Sequence, residues 1–262
     1  MHFQVWQWLL AVLAGLIVGF SKTGIPGVGI VVVPILAYAF GGWVSVGIML
    51  PMLIFGDCFA VFWYRRHAQW SRLIHLMPWV IVGIAGGAVF LRIAGKANAH
   101  KDAIDLIIGV VVITMLILRQ LQERFGDRLS PKSKTGTAAT GVSAGFVSTV
   151  TNAAGPIVQL YLLAYDMRKE QFMGTIAWYY LIFNAFKVPV YVAVTYLNPR
   201  NPMLTGRSLL LDLLVFPFIL VGALIGKWLL PRVSQKLFER TVLIFAAIIA
   251  VKLIAGYLGL KF

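Results

Sequence analysis

Two short stretches, each rich in hydroxyl groups and in Gly and Pro, interrupt the apolar runs of this chain. They are Ser21-Lys22-Thr23-Gly24-Ile25-Pro26-Gly27 and Ser148-Thr149-Val150-Thr151-Asn152-Ala153-Ala154-Gly155-Pro156. Gly and Pro interrupt helices, and an interrupted helix leaves backbone N–H and C=O groups without partners. Those groups, with Ser, Thr and Asn side chains, make a ligand set for a small anion, because the positive ends of helices beside a break favour negative charge. Lys22 adds a full positive charge. The candidate substrate-binding residues are Ser21, Lys22, Thr23, Gly24, Ser148, Thr149, Thr151 and Asn152. The alternative is that the breaks only kink packed helices and Lys22 snorkels to the surface.

A second group lies inside apolar runs. Asp57 stands in Phe55-Gly56-Asp57-Cys58-Phe59, and Lys187 in Asn184-Ala185-Phe186-Lys187-Val188-Pro189. Asn184 and Lys187 are three apart and share a helix face. Asp57 and Lys187 have opposite signs and fall in corresponding regions of the two halves, so they are expected either to pair or to leave Asp57 as a proton-coupling carboxylate. Asp212, Lys227 and Lys252 lie nearer segment ends and read as snorkelling residues. Trp6, Trp8, Trp43, Trp63, Trp70 and Trp79 read as interfacial anchors. His2, His67, His75 and His100 are scattered without metal-ligand spacing, there is no P-loop, and Gly27-Val28-Gly29 has no strand before it. No enzyme, cofactor or metal site is predicted. The single cysteine, Cys58, cannot form an intramolecular disulfide.

The elements that must position these residues are membrane helices. The chain has 262 residues, 60% hydrophobic and only 12% charged, about half the charge of a soluble domain. A single soluble core could not hide that much apolar surface. Ten segments are predicted: 5–20, 27–40, 43–64, 72–94 and 103–121, then 136–150, 155–165, 172–197, 205–230 and 238–258. Segments 1, 2, 6 and 7 are short for a bilayer and form two pairs, each split by one of the breaks. No basic residue precedes the first segment, so it is expected to be retained rather than cleaved.

The halves repeat one another. Gly15-x-x-x-Gly19-Phe20 precedes the first break and Gly141-x-x-x-Gly145-Phe146 the second. Pro78-x4-Gly83-x3-Gly87 matches Pro217-x4-Gly222-x3-Gly226, and Ile54-Phe55 matches Ile182-Phe183. The division is 1–121 for the first repeat, 122–134 for a polar linker and 135–262 for the second. An odd number of segments per repeat inverts the second copy. The net charge of +14 lies mostly in the links, which argues against nucleic acid as the partner. If every segment crosses, fourteen Lys and Arg, from Lys22 to Arg240, fall on one side, and six, from Arg92 to Lys261, on the other. The rich side is the cytoplasmic one, so both termini are predicted outside.

Gly15-Leu16-Ile17-Val18-Gly19-Phe20, the Gly/Pro-rich turn after it and Val31-Val32-Val33-Pro34 resemble the first motif of the sulfite exporter TauE/SafE family. The two Pro…Gly-x3-Gly elements resemble its recurring helices, and the similarity covers nearly the whole chain. The resemblance implies an all-α polytopic permease of a bacterial-type inner membrane. It would export sulfite, an organosulfonate or another small anion, with a proton or sodium ion as candidate coupling ion and a homodimer as candidate assembly. The family's usual Gly-rich run is here Ser21 to Gly27, with an added lysine. A non-transporting membrane component, a membrane-embedded enzyme and an anion channel are the other readings.

Overall fold

The structure is a computed structural model. It describes residues 3–25, 27–96, 106–114, 117, 133–165 and 167–229, with 248, 251, 254, 255 and 258 singly. The predicted linker, apart from 133 and 134, and nearly all of segment 238–258 lie outside the described residues.

The first half comprises α1 (Val5–Thr23), a 3-10 turn at Val28–Val31, α2 (Val32–Phe40), α3 (Gly42–Tyr64), a second 3-10 turn at Arg65–His67, α4 (Trp70–Lys96) and α5 (106–114). The second comprises α6 (Lys134–Thr151), α7 (Gly155–Leu163), α8 (Lys169–Leu197) and α9 (Gly206–Leu229). No strand occurs among the described residues. Helices α1, α3, α4, α8 and α9 are long and apolar enough to cross a membrane. The outer faces of α4 and α9 expose Ile74, Val82, Val89, Ile93, Leu210, Leu213 and Leu224, an apolar coat that water does not favour and lipid does.

Two helix seams frame the molecule, α1 against α9 and α4 against α6. Gly15 packs on Val215, Gly19 on Ile219 and Ala223, and Gly24 on Gly226. In the other seam Gly141 packs on Trp79, Gly145 on Val80 and Ile84, and Gly87 on Thr149. A Cβ at Gly19 would collide with the Ile219 carbonyl, and one at Gly83 with the Val142 carbonyl. Small residues let the backbones touch, which is how helices gain contact where lipid competes on equal terms. The small-residue landmarks of the two halves are thus opposite sides of the same seams.

The contacts also give the helix senses. Numbers rise together across both seams, so α1 and α9 are parallel, and so are α4 and α6. Gly56 of α3 faces Val18, Lys22 and Ile219, and the Tyr64 hydroxyl donates to the Thr23 carbonyl at 2.9 Å, so α3 runs with α1 and α9. Trp70 packs on Trp178 and Gly95 on Asn198, so α8 runs with α4. Asp57 meets Asn184 while the Tyr64 carbonyl meets Gly174, so α3 and α8 are antiparallel.

The breaks are shorter than predicted. Ser21, Lys22 and Thr23 are the last residues of α1, and Ser148 to Thr151 the last of α6. Their hydroxyls donate one turn back within the helix, Ser21 to the Val18 carbonyl at 2.9 Å and Thr149 to the Gly145 carbonyl at 2.8 Å. The chain then turns at Gly27, with φ of 96°, and at Asn152, with φ of 58°, left-handed conformations that suit Gly and Asn. Trp43 corrects another expectation. It is buried, not an interfacial anchor, and its indole N–H donates to the Asn201 carbonyl at 3.0 Å.

Candidate functional site

Helix α8 carries a polar stripe through its apolar length. Tyr180, Asn184, Lys187 and Tyr191 recur at the spacing of one helix face, and that face looks inward toward both breaks. Each of the four reaches a group on another helix.

Asp57 lies opposite on α3, wholly buried. Its Oδ1 is 2.6 Å from Lys22 Nζ, and its Oδ2 accepts from Asn184 Nδ2 at 2.6 Å. This corrects the expected partner: Asp57 pairs with Lys22, not Lys187. The reason is reach. Gly56, beside Asp57, has no side chain where the Lys22 stem passes; a Cβ there would lie 3.2 Å from Lys22 Cγ. Lys22 also sits in the last turn of α1, where the negative helix end favours a cation. Its ammonium lies 4.0 Å from the centre of the Tyr180 ring, which adds a cation–π attraction. With its side chain only 9% exposed, Lys22 does not snorkel.

Lys187 binds the second break. Its Nζ donates to the Ser148 carbonyl at 3.1 Å, the Ser148 hydroxyl at 3.0 Å and Asn152 Oδ1 at 2.6 Å. An ammonium has three donors, and these three neutral acceptors use all of them. Asn152 Nδ2 in turn donates to the Val46 carbonyl at 3.0 Å, and the Tyr191 hydroxyl to the Thr149 carbonyl at 2.8 Å. The turn after α6 is therefore fixed to both α3 and α8.

Between the breaks lies a cavity of about 60 Å³. Ser21, Lys22 and Gly27 contribute from the first break, Gly29 from the 3-10 turn after it, and Ser148, Asn152 and the run Ala153 to Pro156 from the second. Gln159, Tyr180 and Asn184 complete its polar wall, while Ile30, Met49, Leu53 and Ile176 make the apolar one. The first turn of α7 lines it through Gly155 and Pro156; Pro156 has no backbone N–H and the Val158 N–H donates to the Ala154 carbonyl at 3.3 Å, so Gly155 is the lining residue of that turn that carries a backbone donor. Gln159 Nε2 is buried without a hydrogen-bond partner. Asp57 and Lys187 stand behind this wall, Asp57 on Lys22 and Asn184 and Lys187 on Ser148 and Asn152.

Of the predicted substrate-binding residues, Ser21, Lys22, Ser148 and Asn152 line the cavity together. Thr23, Gly24, Thr149 and Thr151 stand away from it. The Thr23 hydroxyl donates to the Ala223 carbonyl at 2.7 Å, Gly24 packs on Gly226, Thr149 packs on Gly87, and Thr151 donates to the Val147 carbonyl at 2.9 Å. Tyr180 and Gln159 are not among the residues that the sequence analysis names. Tyr180 was legible as the residue one turn before Asn184, and Gln159 as the amide inside an apolar run. Asp212, expected to snorkel, is instead buried with both carboxyl oxygens unpartnered. Lys227 lies 4.8 Å from the Trp63 ring centre; Lys252 lies outside the described residues. Among the described residues no three His, Cys, Asp or Glu come together as a metal site.

A family model described as sulfite exporter TauE/SafE matches residues 11–253. Comparison with curated proteins finds no match, and comparison with solved structures finds none either.

Proposed function

We propose that this chain, which belongs to the sulfite exporter TauE/SafE family, is a secondary transporter that exports a small sulfur oxyanion or short organosulfonate across a bacterial-type plasma membrane. The observation that carries the reading is the cavity on which both breaks converge, with Lys22, the Gln159 amide and the first turn of α7 turned toward it. An ammonium, a neutral donor and a helix N-terminus together suit an oxyanion. At about 60 Å³ the cavity has the volume of about two waters, the scale of a small anion and not of a bulky organic one.

Two inverted repeats, 1–121 and 135–262, joined by a cytoplasmic linker at 122–134 with both termini outside, fit this function. The opposite senses of α1 and α6, α3 and α8, and α4 and α9 support the inversion, and the excess of basic residues on one side supports the orientation. Alternating access then rocks one part of the bundle against another around a central site.

The test is transport of labelled sulfite and methanesulfonate in vesicles. Lys22→Ala removes a charge-assisted hydrogen bond of about 1.5–3 kcal/mol, so apparent affinity is expected to fall roughly ten- to hundredfold. Arg66→Ala, at an exposed position, is expected to leave it unchanged. A folded Lys22→Ala protein with the parent's affinity would remove Lys22 from the site and the reading with it.

A further inference from the structure

Lys22 has two candidate claimants for its charge. In the described state Asp57 Oδ1 holds it at 2.6 Å, yet the cavity that would receive an anion is lined by Lys22 as well. An oxyanion on Lys22 would sit beside an ionised carboxylate that is wholly buried. Two oxyanions sharing one cation away from water do not both stay charged. Asn184 alone, with its neutral amide, would not compensate the carboxylate.

Resting on the proposed anion site, we infer that substrate and proton bind together by partner exchange at Lys22: the anion replaces Asp57 on the ammonium, and Asp57 takes up one proton. The charges balance. The Lys22–Asp57 ion pair opens, a Lys22–anion pair forms, and the Asp57 carboxylate becomes a carboxylic acid with a proton drawn from solution. One negative and one positive charge enter, so the net charge of the site is unchanged. As an acid, Asp57 still accepts from Asn184 at Oδ2 and can donate from Oδ1 to an anion oxygen. The transported species is then in effect the neutral acid. Export runs when the anion accumulates inside, and each anion carries a proton out.

The groups around Asp57 leave it as the proton acceptor. From α1 the only charge is Lys22; from α8 come Tyr180, Asn184 and Lys187, the last with its donors already used. On α3 itself, Cys58 is exposed and Tyr64 reaches Thr23; α2 contributes only Tyr38, which is exposed. The turn after α3 holds Arg65, Arg66 and His67, all exposed. The charged residues of α9 are Arg207, Asp212 and Lys227, whereas Ile219 is the α9 residue beside Gly56.

The test is calorimetric binding of methanesulfonate to the purified full chain in lipid nanodiscs, in two buffers of different ionisation enthalpy. Methanesulfonate keeps one fixed charge, so any proton taken up belongs to the protein. Uptake of about one proton per anion is expected, with affinity falling up to about tenfold per pH unit as pH rises. In Asp57→Asn, which keeps the Asn184 neighbour and removes the charge, binding is expected to tighten and to lose its pH dependence. Wild-type binding without proton uptake, or an Asp57→Asn protein that keeps the pH slope, overturns the exchange and leaves the anion site standing. If neither methanesulfonate nor sulfite binds the wild type, the anion site itself falls and the exchange with it.

Discussion

At the first break Lys22 faces a carboxylate and an aromatic ring; at the second Lys187 faces three neutral oxygens. Lys187 is buried and Lys22 nearly so, each beside an interrupted helix pair, so burial alone does not account for their difference. Their partners do. Lys187 is bonded to the backbone and side chain of Ser148 and to the turn residue Asn152, groups that cannot leave without unmaking the turn. Lys22 is held by Asp57, a side chain on another helix, and the cavity offers it an alternative. One lysine fastens a turn, and the other is placed to change partners.

Removing Asp57 should break this contrast most strongly. Asp57→Ala leaves the Lys22 ammonium buried without its counter-charge and Asn184 without an acceptor. Loss of one member of a buried ion pair costs about 3–5 kcal/mol, so the melting temperature in detergent is expected to fall sharply. Added methanesulfonate is expected to restore more of it than it adds to the parent. A melting temperature equal to the parent's would mean that the pair contributes nothing.

The second break gives a smaller and more divisible effect. Asn152→Gly keeps the left-handed backbone but deletes the bonds to Lys187 and Val46, with an expected loss of about 1.5–3 kcal/mol. Asn152→Ala deletes the same bonds and adds the steric cost of φ near 58°, about 1–2 kcal/mol more. Thermal unfolding of the two variants separates the staple from the turn. Equal melting temperatures would show that the backbone conformation relaxes.

The same contrast shows what the sequence could convey. Composition and segment lengths made the all-helical membrane class legible, and the matched landmarks around Gly15, Gly83, Gly141 and Gly222 are the positions where the two seams close. That Gly15 packs against α9 and not within its own half was not legible, because the seam joins residues 200 positions apart. Composition locates the breaks within a few residues but makes them too long, since α1 runs to Thr23 and α6 to Thr151. A Ser or Thr at a helix end satisfies itself on a carbonyl one turn back as readily as it serves a loop, and composition does not distinguish the two. Half of the expected ligands, Thr23 and Thr149 among them, went to such local or seam contacts. The pairing of Asp57 with Lys187 followed from sign and position in the repeat. It missed Lys22 because the space at Gly56 that admits the Lys22 stem is a property of packing.

The most direct test of the central claim is a crystal structure with selenite, a sulfite analogue whose selenium is located by anomalous scattering. The account predicts one selenium peak in the cavity, within hydrogen-bonding reach of Lys22 Nζ and the first turn of α7. Lys22 should have withdrawn from Asp57, and Lys187 should remain on Ser148 and Asn152. A peak outside the cavity, or one beside Lys187 with the Lys22–Asp57 pair intact, would contradict it.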